Sequence, residues 1–93
     1  MFSALQARGI QDAIAHRKAY RFYIKETKRA NRYVEWAIHR GWSKIQITMY
    51  PNDVLQADMI DRIASELQDL GYHTQVIPEA DGSYKLRVQW RRR

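Results

Sequence analysis

Cysteine is absent from the 93-residue chain, so no disulfide framework and no thiolate metal site are available, a usage that fits a reducing cytoplasm. Proline occurs twice, and the four glycines stand singly at Gly9, Gly41, Gly71 and Gly82. Glycines so scattered build no phosphate-cradling loop, and no proline- or serine-rich stretch marks a linker or a domain boundary. Long apolar runs are missing as well. Gln6, Arg8, Gln11 and Asp12 break up the first fifteen residues, where a signal peptide needs an unbroken apolar stretch. Neither export nor a membrane span is expected, and a cytoplasmic location is the expectation.

Catalytic groupings are equally sparse. His16, His39 and His73 do not share a helix turn or stand beside a carboxylate cluster at ligand spacing. Ser3, Ser43, Ser65 and Ser83 lack a nucleophile-elbow setting. Asp58, Asp61 and Asp69 fall on the solvent side of a helix, which gives paired carboxylates no pocket in which their pKa values would separate. No enzymatic activity, no cofactor and no metal are expected.

What is present suffices for one folded unit. The composition is 45% hydrophobic and 28% charged, and a chain of this length supports a single core, so residues 1–93 are expected to form one domain. The net charge of +6 conceals a division. Ten Lys/Arg against three acids give +7 from Met1 to Lys44, the stretch from Ile45 to Lys85 carries −5, and the last eight residues carry +4. Clustered charge of one sign attracts a partner of the other, which points to a polyanion or an acidic protein surface.

Apolar spacing of 3.6 residues predicts a helix from about Ala15 to Arg40, with Ala19, Tyr20, Tyr23, Ile24, Thr27, Ala30, Val34, Ala37 and Ile38 on the core arc. Ser3 to Ile14 is helix-like too, but Gly9 weakens it, and one continuous helix and two joined ones both fit. Gly41 and Trp42 form a stop, since glycine adopts the left-handed conformation past a helix end and the following apolar side chain folds back. Lys44 to Tyr50 alternates as a half-buried strand, closed by Pro51. Asp53 and Gln56 resemble a capping box ahead of a second helix, whose apolar face carries Met59, Ile60, Ile63, Leu67 and Leu70. Gly71 and Tyr72 repeat the glycine-aromatic stop. Strands follow at Tyr72–Ile77 and Tyr84–Trp90, joined by a turn from Pro78 to Ser83.

The resulting fold class is α+β in the order helix, strand, helix, strand, strand: a three-stranded sheet with both helices on one face. The last strand is expected in the middle, antiparallel to both neighbours, so that the first two run parallel through a crossover connection.

On the long helix, Arg17, Arg21, Lys25, Lys28 and Arg32 share an arc of about 80°, with Arg29, Lys18 and Arg40 beside it and Phe22, Tyr33 and Trp36 interleaved. Cations in a stripe neutralise phosphates and release counterions, while neighbouring aromatic rings stack on unpaired bases. Nucleic-acid binding through Arg17, Arg21, Lys25, Lys28, Arg29 and Arg32 is therefore expected. Two alternatives remain beside it. Any surface helix sets charge opposite its apolar arc, and Glu26 and Glu35 interrupt this field. Phe22, Tyr33 and Trp36 would also serve as a seam against the Ser3–Ile14 segment or against a second copy in a homo-oligomer, because a helix of about 25 residues spans about 38 Å and outruns the sheet. Arg91, Arg92 and Arg93 are either a solubilising tail or a continuation of the basic surface.

The stretch SKIQITMYPNDVLQADMIDRIASELQDLGYHTQVI, followed by GSYKLRVQW, resembles small accessory proteins of tailed bacteriophages. In many of these a basic helix precedes a strand, a helix ending in glycine and an aromatic, and a hairpin closing on tryptophan. The resemblance covers about half of the chain. It implies an accessory role in a bacterial-cell cytoplasm and carries no functional residue onto this sequence.

Overall fold

A computed structural model describes residues 3–90. Helix α1 runs Ala4–His39, strand β1 Lys44–Met49, helix α2 Val54–Asp69, strand β2 His73–Pro78 and strand β3 Tyr84–Gln89, the expected order. Gly9 does not divide α1. Ser3 opens the helix with a full capping box: its hydroxyl accepts from the Gln6 amide at 3.1 Å, and the Gln6 side chain accepts from the Ser3 amide at 2.9 Å. The 36 residues form one rod of about 54 Å at 1.5 Å per residue.

Both helices end as their glycine-aromatic pairs predict. The Trp42 amide reaches the Ala37 carbonyl at 2.8 Å and the Gly41 amide that of Ile38, with Gly41 at φ 77°. At the end of α2 the Tyr72 amide reaches Leu67 at 3.0 Å, with Gly71 at φ 100°. A side chain at either glycine would be strained by that backbone conformation. The aromatic following each glycine then packs: Trp42 lies edge-to-face on Trp36 at 4.9 Å, and Tyr72 on Trp90 at 5.9 Å.

The sheet order is β1-β3-β2, with β3 antiparallel to both neighbours. The register aligns Ile45, Ile47 and Met49 with Val88, Leu86 and Tyr84, and those with Thr74, Val76 and Pro78. Alternation thus sends one set of side chains to the helices, where Ile47, Met49, Leu86 and Val88 are buried with Ile60, Ile63, Leu67 and Ala30. The other set, Lys44, Gln46 and Thr48, then Lys85, Arg87 and Gln89, then His73, Gln75 and Ile77, forms the opposite face.

Two details of the helical faces differ from the periodicity. The face that α1 buries carries Ala19, Glu26, Ala30, Val34 and Ala37, while Tyr20 and Ile38 are more than half exposed. The rod is rolled toward Phe22 and Tyr33, both packed against the core, because small alanines allow close approach on that side. Leu70, placed by its spacing on the apolar face of α2, is exposed: it is the C-cap, where the chain already turns away through Gly71. The capping of α2 is also shifted by one residue. Asp53 accepts from the Gln56 amide, but the Gln56 side chain accepts from Asn52 at 2.8 Å.

Candidate nucleic-acid interface

The buried line of α1 fixes where its charges point. Arg17, Arg21, Lys25, Lys28 and Arg32 lie opposite that line and are all exposed, and among the described residues none of them forms an ion pair. From Arg17 to Arg32 the stripe extends about 22 Å along the rod.

Arg29 stands apart from the other five. Its guanidinium donates to Glu26 at 3.1 Å and to the Thr48 carbonyl at 3.0 Å, and it lies over the Tyr33 ring at 5.4 Å. Burial works against its charge, but the neighbouring Tyr33 and Glu26 side chains outweigh that cost and hold its pKa above the ordinary value. Arg29 thus ties α1 to β1 instead of facing a partner. Its bond also withdraws Glu26, only 5% exposed, from the surface field. Of the two acids that interrupt the stripe in sequence, Glu35 alone remains exposed.

The aromatic seam divides too. Phe22 and Tyr33 are half-buried against the chain's own core, which leaves Trp36 as the exposed ring of the three expected to meet a second copy. None of them packs on the Ser3–Ile14 segment, since that segment continues the rod away from the body. Arg91, Arg92 and Arg93 lie outside the described residues.

One feature exists only once the chain has folded. Between the last turns of α1 and the outer edge of β1 lies an open groove of about 920 Å³. Tyr33, Trp36 and Trp42 supply its aromatic wall, and Arg32, Lys44 and Arg87 surround it with positive charge. Trp36 is 47% and Trp42 50% exposed, and Arg40 covers Trp36 at 4.3 Å. Arg87 is held by the Gln46 side chain, its Nε donating at 3.1 Å across the open sheet face. Lys44 and Trp42 are legible in sequence as an outward strand residue and a helix stop. Their meeting with Arg87, some forty residues later, depends on the β1–β3 register.

Among the described residues, no group of three or more His, Cys, Asp or Glu is placed to hold a metal, and His16, His39 and His73 are separately exposed. Nor is any helix among them long and apolar enough to cross a membrane. Comparison with protein-family models, curated proteins and solved structures finds no match to the chain.

Proposed function

We propose that the protein binds nucleic acid without chemistry of its own, laying the α1 stripe along a phosphate backbone. The observation that carries this reading is the outward set Arg17, Arg21, Lys25, Lys28 and Arg32 on one continuous helix, with no ion-pair partner among the described residues. Exposed pairs of opposite sign are worth little, but a row of like charges holds a steep local field, and a polyanion relieves it by releasing its condensed counterions.

Fluorescence anisotropy with labelled DNA and RNA across a salt series tests the reading. Affinity should fall linearly in log–log form with salt. In a folded Arg21→Glu/Lys25→Glu/Lys28→Glu variant, the slope should shrink by about one unit per lost phosphate contact. Absence of binding at low salt defeats the proposal.

A second reading has its own observation. Leu5, Ile10 and Ile14 are exposed on the projecting half of α1, and Asp58, Asp61 and Asp69 are exposed on α2. An apolar and a charged surface of this kind also suit a protein partner or a second copy. In that case the triple reversal changes sedimentation and there is no polyanion affinity to lose.

A further inference from the structure

Resting on that nucleic-acid reading, we propose that the groove between α1 and the edge of β1 takes an unpaired base, so that the protein's ligand is single-stranded nucleic acid.

The backbone of β1 supplies the first reason. The Trp90 amide donates to the Ser43 carbonyl at 3.1 Å, and the register aligns Lys44 with Gln89. In an antiparallel pair the bonded positions alternate, so Ile45, Ile47 and Met49 turn their amides and carbonyls toward β3. Lys44, Gln46 and Thr48 turn theirs to the free edge. Arg29 occupies the Thr48 carbonyl. At Gln46, which lines the groove, amide and carbonyl have no backbone partner among the described residues. One residue offering a donor and an acceptor side by side complements the Watson–Crick edge of a base.

The walls supply the second. A base bonded to Gln46 lies beside Trp36 and Trp42, whose 4.9 Å edge-to-face contact holds both rings in place before any ligand arrives. With Arg40 over Trp36, Trp42 is the more open stacking platform. Arg32, Lys44 and Arg87 stand around the rings, and among the described residues no carboxylate lines the groove. Because Arg32 is also the last cation of the α1 stripe, a backbone following the stripe enters the groove without leaving positive charge. A base still stacked and paired in a duplex cannot present its edge there.

The test uses the whole chain and reads tryptophan fluorescence and anisotropy with four probes of defined kind: a single-stranded 12-mer, the matching duplex, AMP, and a 12-residue poly-glutamate peptide. The single strand should quench tryptophan and bind more tightly than the duplex. Trp42→Ala should weaken single-strand binding about ten- to a hundredfold with duplex affinity unchanged. Trp42→Leu, which keeps an apolar contact for Trp36, should reproduce that selective loss if the alanine variant unfolds. Equal loss for both nucleic acids, or no loss, overturns the groove proposal while leaving the stripe intact. Binding of neither nucleic acid at low salt defeats both. Quenching by AMP as tight as by the 12-mer would assign the groove to a free nucleotide, and tight quenching by poly-glutamate to a peptide added at the edge of β1. Either result overturns the single strand.

Discussion

Glu26 lies on a helix face otherwise built from alanine and valine, its carboxylate paired with an arginine that also caps a strand carbonyl. Removing it leaves the Arg29 guanidinium half-enclosed without its counter-charge, and a cavity beside Ala30. Arg29 keeps 35% of its side chain in water, which tempers the penalty below that of a fully buried pair. Glu26→Ala should therefore cost about 1–3 kcal/mol in urea unfolding, and a loss under about 0.5 kcal/mol would show that solvent already satisfies Arg29. At this scale the sequence is least informative. Charge and periodicity place Arg29 among the stripe residues, because its acceptor, the carbonyl of Thr48, lies nineteen positions on and is brought near only when β1 docks.

Between elements, the α1–α2 contact has one polar tie. The Tyr23 hydroxyl donates to the Glu66 carboxylate at 2.7 Å, while Arg62 donates to the same carboxylate at 3.0 Å and covers the Tyr23 ring at 4.2 Å. The bond to Glu66 raises the pKa of Tyr23 above its ordinary 10.0, with desolvation adding to the rise. A raised folded-state value means that the protonated phenol contributes stability in full below pH 10, and that this contribution disappears as pH climbs through the folded pKa. Tyr23→Phe should lower the melting temperature at pH 8 and flatten its decline toward pH 11. Parallel melting curves for the two proteins across that range would refute the tie. Much at this scale was legible beforehand. Alternation in β1 and β3 demands one covered face, and the glycine-aromatic stops locate both helix ends; the central place of β3 is the preferred arrangement, but the strand patterns alone do not fix the order β1-β3-β2. The roll of α1 was not legible, since Tyr20 and Ile38 fit the apolar period as well as Ala19 and Ala37 do. Only close packing selects the smaller pair. Nor could Gly9 decide between one helix and two, because its cost of about 1 kcal/mol is comparable to what a good capping box returns.

For the whole molecule, the charge division in the sequence becomes a spatial one, with cations along the outer side of the rod and carboxylates on α2. The rod also sets the shape: a radius of gyration of 16.1 Å and extents of 59 × 25 × 20 Å, against about 12 Å expected for a compact chain of this length. Ala19 is the first buried residue of α1, so among the described residues the turns before it bury no side chain against the sheet or α2. A free helix of that length is marginal in water, but this one grows from turns already anchored on the sheet and so bears no nucleation cost, and Ser3 caps its far end. Small-angle scattering at moderate salt should accordingly give a monomer with a radius of gyration near 16 Å. A value near 12 Å would mean that the first turns fold back to cover Leu5, Ile10 and Ile14. A doubled mass that Ile10→Asp/Ile14→Asp returns to monomer would mean that a second copy covers them, and would favour the interaction module over the nucleic-acid reading. An extended monomer leaves the full stripe open to a phosphate backbone, the geometry that the proposed function requires.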